Sequence, residues 1–392
     1  MPRRVVIIGG GVIGSSIAYH LRQHDATRDV VVIERDPSYA RSSSRLAMGG
    51  IRQQFSSKAN IQLAQHSVRF YRQFDAMFGR LSSDRANFRQ RGYLFLVDDE
   101  NAERFERRLK RQADLGAYVA RLEVNQIRRL VPDAVLDDIQ FGVFGPQDGY
   151  ANPRVILSGF RLAATDAGAR YVADTVTGVD RSGEAIGAVV LKSGTRINTD
   201  TIVVAAGAYS ATIGRLAGID IPIQPVRQQL FRCRLPRIWP YRFPVVVDPN
   251  GVHWRHEDPK GPGDDDRVVI ARTNPDEVPG ENFSCDMARW GPDFHDPVVR
   301  RVPALDGMEL VEGWAGLYEM TADHNPLIGE DPTLRGCFLA AGFSGHGVMM
   351  APGVGHAMSQ LILTGRSTSI DISPFDPTRF TRGEPFWDDA MI

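Results

Sequence analysis

Two short apolar runs near the N-terminus flank a segment whose apolar positions follow helical spacing. The runs, RVVII at Arg4–Ile8 and DVVVIE at Asp29–Glu34, are rich in β-branched residues, which is typical of strands buried on both faces of a parallel sheet. Residues 12–23 repeat apolar side chains about one helical turn apart. The pattern therefore predicts a strand–helix–strand unit in residues 1–35.

Further along the chain, helical patterns alternate with strand patterns and then with antiparallel strands. Helical spacing covers residues 60–79, 100–115, 124–130, 153–168 and 353–363. Alternating apolar residues in IPIQPVRQQLFRCRL, FPVVVDPNGVHWRHE and DRVVIARTN predict antiparallel strands, with DPKGPGDDD as a hairpin loop, and CFLAAGF predicts a last buried strand. These patterns predict an α/β fold into which a second, mainly antiparallel domain is inserted.

The charge balance excludes several classes of partner. The chain has 392 residues, 43% of them apolar, and its 46 Lys and Arg against 47 Asp and Glu give a formal net charge of -1. This balance provides no field that attracts nucleic acid or an anionic membrane, so a small molecule is the expected partner. No run approaches the roughly 18 apolar residues of a membrane helix. The N-terminal apolar run is not followed by the small-residue cleavage site of a signal peptide. We expect a cytoplasmic protein with no transmembrane segment.

The cysteines indicate neither a disulfide framework nor a metal centre. Cys233, Cys285 and Cys337 lie far apart in the sequence, and no C-x-x-C pair occurs. We therefore predict no metal site, and the cysteine usage fits the reducing cytoplasm.

A glycine fingerprint follows the first strand. Gly9, Gly11 and Gly14 spell G-x-G-x-x-G before the first helix, and Glu34 ends the second strand 20 residues after Gly14. Such glycines let a pyrophosphate approach N–H groups at a helix N-terminus, and the acidic residue accepts hydrogen bonds from a ribose. The pattern predicts a dinucleotide site, with a turn that binds no ligand as the alternative, and does not choose between NAD and FAD.

A second glycine loop lies more than 300 residues later. In AAGFSGHGVMMAPGVG, Gly342, Gly345 and Gly347 separate a buried strand from a helix, with Pro352 near the predicted start of that helix. A turn needed only for packing is the alternative. An NAD-dependent dehydrogenase needs no such loop, so the loop disfavours NAD.

Three motifs taken together resemble one family. SSSRLAMGGIRQQFS, GWAGLYEMTADHNPLIGED and AAGFSGHGVMMAPGVG are similar to motifs of the D-amino-acid-oxidase superfamily of FAD enzymes, and most to its sarcosine oxidase and proline dehydrogenase β-subunit branch. The resemblance runs from about residue 4 to residue 379. It implies a Rossmann-like FAD-binding domain of residues 1–88, 146–218 and 321–392, and a substrate domain with a mainly antiparallel sheet, residues 89–145 and 219–320.

The resemblance also implies which residues bind the cofactor. A reduced flavin carries negative charge, which backbone N–H groups and the positive end of a helix stabilise, so the C-terminal loop would hold the flavin ring. The implied cofactor-binding residues are Gly9, Gly11, Val12, Ile13, Gly14, Glu34, Arg35, Ser43, Ser44, Gly50, Val176, Ala206, Gly207, Gly342, Gly345, His346, Gly347, Val348 and Met349. A turn role without ligand contact is the alternative for Ser43 and Ser44.

The expected catalytic set is Arg52, Tyr318 and His346. By resemblance, Arg52 corresponds to an arginine that holds the substrate carboxylate in sarcosine oxidases, a task suited to the planar guanidinium, and a solvated or structural arginine is the alternative. Tyr318 would lie beside the flavin or the substrate, or serve only packing. His346 belongs more often to the cofactor shell than to catalysis in this family. His253 and Trp254 are candidate walls of the substrate pocket, with core packing as the alternative.

The chain departs from the family at three positions. Monomeric sarcosine oxidases attach their flavin to a cysteine where this chain has Gly316, and the dimethylglycine dehydrogenase type uses a histidine where it has Leu46. We therefore expect non-covalent FAD. Met349 replaces a lysine of the oxidases, whose charge favours reaction of the reduced flavin with O2, so we expect a dehydrogenase rather than an oxidase.

The sequence thus predicts FAD-dependent oxidation of the C–N bond of a secondary, N-methyl or cyclic amino acid to an imine, by hydride transfer to flavin N5. The expected partners are a small amine or amino-acid substrate and an electron acceptor or partner subunit, with no nucleic acid. The alternative is a flavin-binding subunit or scaffold protein with little amine oxidation, whose terminal RGEPFWDDAMI exposes aromatic residues to a partner. An NAD-dependent dehydrogenase is the third, disfavoured hypothesis.

Overall fold

The structure, a computed structural model, describes residues 4–257 and 265–390. Within them the strands are β1 (Arg4–Ile8), β2 (Asp29–Glu34), β3 (Gly50–Ile51), β4 (Tyr93–Val97), β5 (Ala120–Leu122), β6 (Phe141–Gly145), β7 (Gly149–Tyr150), β8 (Arg170–Ala173), β9 (Val176–Ser182), β10 (Ala185–Leu191), β11 (Arg196–Asn198), β12 (Ile202–Val204), β13 (Gln224–Arg234), β14 (Val245–Val247), β15 (Val252–Glu257), β16 (Arg267–Arg272), β17 (Glu309–Met320), β18 (Leu327–Glu330) and β19 (Cys337–Ala341). The helices are α1 (Val12–His24), α2 (Ser43–Leu46), α3 (Lys58–Phe78), α4 (Ala102–Asp114), α5 (Val124–Leu130), α6 (Pro153–Asp166), α7 (Ser210–Ala217), α8 (Asp296–Arg301) and α9 (Gly347–Thr364). Most of the predicted loop DPKGPGDDD lies outside the described residues.

A six-stranded sheet forms around the first strand, in the order β18-β19-β12-β1-β2-β8. All neighbouring strands are parallel except the antiparallel pair β18 and β19. β1 and β2 pair from Arg4 opposite Asp29 to Ile8 opposite Ile33, so both end at the same edge. The glycine turn after β1 and the acidic residue that ends β2 therefore lie side by side.

This sheet is covered on both faces, which explains why β1 and β2 are apolar throughout. Val5 and Ile7 of β1 pack in one cluster with apolar residues of α1, α3, α6 and α9. Val6 and Ile8 pack in another with residues of α7 and of a three-stranded sheet of β9, β10 and β11. The predicted strand–helix–strand unit is thus confirmed as the centre of an α/β layer structure.

A separate eight-stranded sheet has the order β17-β13-β16-β15-β14-β4-β6-β5. Its pairs are antiparallel except β14 with β4, which run parallel. The predicted α/β fold with a second, mainly antiparallel sheet is therefore confirmed. Its strands all fall within residues 89–145 and 219–320, the segments that we propose as the substrate domain.

Helix α9 begins earlier than predicted, at Gly347 rather than at residue 353, so Pro352 is its sixth residue. A proline inside a helix leaves one carbonyl without its usual N–H partner, here that of Val348. The hydroxyl of Tyr71, from α3, donates a hydrogen bond to this carbonyl oxygen. The predicted start of the helix at residue 353 was wrong because the group that replaces the missing N–H of Pro352 comes from a distant helix.

Two glycines let α9 pack closely on its neighbours. A Cβ on Gly353 would lie 2.7 Å from the carbonyl oxygen of Leu63 in α3, and one on Gly355 would lie 2.3 Å from Ser16 Oγ in α1. The three helices therefore pack with their backbones close together. None of the helices within the described residues is long and apolar enough to span a membrane.

Candidate active site

The turn after β1 is shaped by its glycines. Gly9 adopts a φ of 105°, and a Cβ there would lie 2.3 Å from the carbonyl oxygen of Ala205. A Cβ on Gly14 would lie 2.0 Å from the carbonyl oxygen of Gly9. Because a side chain fits at neither position, the turn can pack tightly against α1. The Glu34 carboxylate accepts a hydrogen bond from the Gly10 N–H at 2.9 Å, which joins the turn to β2.

The N-terminus of α1 faces a cavity that we call the fingerprint cavity. Gly11 caps the helix without a side-chain hydrogen bond, and the Val12 N–H donates to Ser44 Oγ at 3.1 Å. Amides of a first helical turn, together with the helix dipole, favour an anion. The cavity has about 1170 Å³ of empty space, part of it open to solvent. The predicted cofactor-binding residues that line it are Gly9, Gly11, Val12, Ile13, Glu34, Arg35, Ser43, Ser44, Val176, Ala206 and Gly207.

A second cavity, which we call the loop cavity, lies between the C-terminal glycine loop and the eight-stranded sheet. It has about 1150 Å³ of empty space, part of it open to solvent. The predicted site residues that line it are Val12, Ile13, Ser43, Ser44, Gly50, Arg52, Tyr318, Gly345, His346, Gly347, Val348 and Met349. Six residues line both cavities: Val12, Ile13, Ser43, Ser44, Leu317 and Glu319. The two cavities therefore adjoin as one elongated site.

Two predicted cofactor-binding residues, Gly14 and Gly342, are not among the lining residues of either cavity within the described chain. Gly14 packs on the backbone of Gly9. Gly342 has a φ of 84°, and its N–H donates to the Glu319 carboxylate at 3.0 Å. These two glycines shape the turns that carry the lining residues.

Arg52 lies in the wall of the loop cavity with 1% of its surface exposed. Its NH1 group donates to the carbonyl oxygen of Gln54, and its NH2 group donates to that of Ala390 at 2.8 Å and to His346 Nε2 at 3.2 Å. The guanidinium also lies 4.3 Å from the centre of the Phe55 ring. These contacts fix the guanidinium plane and occupy three of the five N–H donors of an arginine, so a ligand would be bound by the other donors.

His346 is held in its neutral form. Its Nδ1 lies 3.3 Å from the carbonyl oxygen of Phe343, which can only accept, and its Nε2 faces the NH2 group of Arg52, which can only donate. We therefore assign the ring proton to Nδ1. Burial lowers the pKa of His346 to about 3, so the ring stays neutral near pH 7. Through Nε2, the ring contacts the NH2 group of Arg52.

Two adjacent residues of β17 contribute different groups to the site. The Tyr318 ring packs on the glycine loop, since a Cβ on Gly345 would lie 2.4 Å from it. Burial raises the pKa of Tyr318 to about 12, so its hydroxyl remains protonated. Glu319 lines both cavities, and burial raises its pKa to about 7. This carboxyl group can therefore hold or release a proton near neutral pH.

The C-terminal segment packs behind Arg52. Asp388 is 5% exposed, and its carboxylate accepts hydrogen bonds from Ser56, Ser57, Asn60 and Ala390. This network holds the Ala390 carbonyl against the guanidinium of Arg52. Of the aromatic residues expected to be exposed here, Trp387 is 65% exposed, whereas Phe386 packs 5.5 Å from the Phe375 ring.

The two residues of β15 that are candidates for the wall of the substrate pocket point to opposite faces of the sheet. His253 lines the loop cavity, with its Nδ1 3.1 Å from the carbonyl oxygen of Gly251. Trp254, the next residue, is fully buried on the opposite face of the sheet with Phe231 and Phe243. The prediction of a pocket role for Trp254 was therefore wrong, because successive side chains of a strand point to opposite faces.

A model of the "FAD dependent oxidoreductase" family matches residues 4–361 of this chain. The chain belongs to the FAD dependent oxidoreductase family. It is 31% identical to "FAD-dependent oxidoreductase domain-containing protein 1" of Xenopus laevis, over 99% of this chain and 84% of that protein. The crystal structure of L-proline dehydrogenase from P. horikoshii is similar with a TM-score of 0.88 and 29% identity, over 98% of this chain and 100% of that one. The 4-methylaminobutanoate oxidase (formaldehyde-forming) of Paenarthrobacter nicotinovorans is 26% identical, over 96% of this chain and 46% of that protein.

FAD is the cofactor of this family, and the joined cavities fit it. The fingerprint cavity offers the N-terminus of α1 to a pyrophosphate and the Glu34 carboxylate to a ribose. A Cβ on Gly11 would meet only Ser44 Oγ, at 3.5 Å, so the backbone leaves room at this point. Gly347, the first residue of α9, lines the loop cavity, so the positive end of this helix would face a flavin.

Some lining residues were not identified from the sequence. Tyr39 and Tyr209 line the fingerprint cavity, and Tyr93 and Thr273 line the loop cavity. They lie outside the glycine motifs, and their positions in the cavity walls depend on the folded structure. Glu319 could have been proposed as a site residue from the sequence, because it is the only carboxylate in the motif segment GWAGLYEM.

Proposed function

We propose that the protein oxidises the C–N bond of a secondary, N-methyl or cyclic amino acid to an imine. The observation that carries this proposal is the buried guanidinium of Arg52 in the loop cavity, held by neutral His346 and by the Ala390 carbonyl. A guanidinium fixed in this way binds a substrate carboxylate at low entropic cost. Tyr318, with its protonated hydroxyl in the same cavity, would form a further hydrogen bond to the substrate. When bound, FAD supplies the hydride acceptor, its N5 atom.

The relatives support this substrate class. One is named for L-proline, a cyclic amino acid, and another for 4-methylaminobutanoate, an N-methyl amino acid. Both substrates combine a secondary amine with a carboxylate. That combination matches a cavity whose wall holds the buried guanidinium of Arg52 together with apolar residues such as Leu46, Leu230 and Met349.

Electron transfer to an acceptor other than O2 is the second part of the proposal. Met349 is 7% exposed and lines the loop cavity, and none of the described lining residues is a lysine. Without an ammonium group near the flavin, negative charge that develops on O2 is less stabilised. We expect slow reoxidation of the reduced protein by O2 in stopped-flow experiments, and reoxidation as fast as in flavin oxidases would contradict this expectation.

Non-covalent FAD is the third part. A Cβ on Gly316 would lie 3.2 Å from the Cβ of Leu46, so the two positions where relatives attach their flavin are neighbours in the loop cavity. Neither residue has a nucleophilic side chain. Acid precipitation should leave the flavin in the supernatant, and yellow colour in the pellet would contradict the prediction.

The substrate class is tested by anaerobic reduction of the holoenzyme, followed at the visible flavin band. The panel pairs each N-methyl or cyclic amino acid with the matching amine that lacks a carboxylate. Amino acids should bleach the flavin and the matching amines should not. Arg52→Lys should lose this preference while it retains flavin. A holoenzyme that no amine bleaches would instead support a scaffold protein with a structural flavin.

A further inference from the structure

Three histidines from three different helices meet away from both cavities. His20 lies on α1, His66 on α3 and His356 on α9, and one ligand nitrogen from each lies within 4.8 Å of the other two. We call these residues the histidine cluster. None of them lines the fingerprint or the loop cavity among the described lining residues, so the proposed amine oxidation does not explain them.

The hydrogen bond of His20 leaves one of its ring nitrogens available to a metal. Its Nδ1 lies 2.9 Å from the carbonyl oxygen of Ser16, which assigns the proton to Nδ1 and leaves the lone pair on Nε2. Histidines that bind metals usually donate the other ring N–H to a carbonyl or carboxylate in this way. Because Ser16 is on the same helix, the ring of His20 has a fixed position before any ion binds.

Two further groups face the cluster. The ring of His24 lies 5.3 Å from that of His356, and the positive charge of Arg69 acts on His66. Arg69 also opposes a bound cation, so the three imidazoles must outweigh its repulsion.

Metal binding requires two of the rings to turn. The rings of His66 and His356 are stacked, with centroids 4.7 Å apart and planes at 19°. Tetrahedral zinc with Zn–N bonds of about 2.0–2.1 Å needs nitrogens about 3.3 Å apart and lone pairs that converge on the ion, so these two rings would have to leave their stacked arrangement. His66 and His356 are half-buried, which gives an ion a route to the cluster and gives both rings room to turn.

We propose that His20, His66 and His356 bind one divalent first-row transition metal ion such as Zn²⁺, with water as the fourth ligand. Three imidazoles with an open fourth position suit zinc, copper and nickel. The ion would connect α1, α3 and α9. Since α1 and α9 begin at the two glycine turns, about 13 Å from the cluster along each helix axis, the ion would stabilise the helices that form the cofactor site without touching the cofactor. This proposal departs from the prediction of no metal site, which considered only the cysteines.

The test is titration of the holoenzyme with ZnCl2 by isothermal calorimetry, with protein that carries no histidine tag and was treated with EDTA. Wild-type protein should bind one ion per chain. His66→Gln and His356→Gln should each bind at least about tenfold more weakly. The matched control is His295→Gln, because His295 lies outside the cluster beside Asp296, and it should bind as the wild type does.

Absence of saturable binding by the wild type, or equal affinity in the cluster variants and the control, would overturn the proposal. Flavin content and circular dichroism establish that each variant is folded. If either variant is misfolded, X-ray absorption of zinc-loaded wild-type protein decides the question. Three imidazole nitrogens around the zinc would support the proposal, and a shell of oxygen or sulfur ligands would overturn it.

Discussion

Asp388→Asn should loosen the C-terminal segment that supports Arg52. The carboxylate of Asp388 accepts from Ser56 N–H at 2.9 Å and Ser56 Oγ at 2.6 Å through one oxygen, and from Ser57 N–H at 2.9 Å and Asn60 Nδ2 at 2.8 Å through the other. The side-chain amide of asparagine keeps one acceptor oxygen, but its NH2 group replaces the other oxygen and faces groups that can only donate. At least one buried donor then loses its partner.

Two independent estimates give the free energy of unfolding that Asp388→Asn should remove. Burial raises the pKa of Asp388, but hydrogen bonds from Ser56 and Asn60 outweigh burial and lower this pKa from its ordinary 3.8 to about 2. At about 1.4 kcal/mol per pH unit, this difference corresponds to roughly 2–3 kcal/mol. An unsatisfied buried donor costs about 1–3 kcal/mol. Because the pKa is depressed in the folded state, the stabilisation is complete above pH 4 and is lost as the pH falls toward 2.

The measurement is the free energy of unfolding by urea at pH 7, followed by circular dichroism. Asp388→Asn should lower it by about 2–3 kcal/mol. Glu384→Gln is the matched control in the same segment, because Glu384 is 66% exposed and pairs with an exposed arginine, so it should change the value by less than about 0.5 kcal/mol. Equal effects of the two substitutions would refute the reasoning.

Three further changes test other parts of the site and fold. Gly14→Ala places a Cβ 2.0 Å from the carbonyl oxygen of Gly9, so the purified protein should contain little FAD by absorbance, and a normal content would contradict the turn geometry. Met349→Lys should accelerate reoxidation by O2 at least about tenfold in stopped-flow experiments, and an unchanged rate would mean that a cation here is unimportant. Gly355→Ala should lower the free energy of unfolding in urea by about 1–3 kcal/mol, and no loss would show that α1 and α9 are not closely packed.

The glycine motifs made much of the candidate site predictable. A G-x-G-x-x-G turn has one favoured geometry between a strand and a helix, so the positions of Gly9, Gly11 and Glu34 followed from spacing alone. The predicted residues of the loop cavity, such as Arg52 and Gly345, followed from resemblance because they lie in motifs. Both sets now line adjoining cavities.

Features that depend on three-dimensional packing were not predictable. Trp254 and His253 are adjacent, and only the pairing of β15 decides which one faces the cavity. The histidine cluster joins residues 20, 66 and 356, and their meeting depends on the rotation of three helices. The start of α9 depended on the Tyr71 hydroxyl, which the local sequence around Pro352 does not contain.

The central claim is that this chain uses bound FAD to oxidise the C–N bond of an amino acid with a secondary amine. The most direct test is the product of one anaerobic turnover, with the amino acid that bleaches the flavin fastest, identified by mass spectrometry. We predict one imine, or the carbonyl compound and amine formed by its hydrolysis, for each FAD reduced. Flavin reduction that yields neither the imine nor its hydrolysis products, or no reduction by any amino acid tested, would contradict the account.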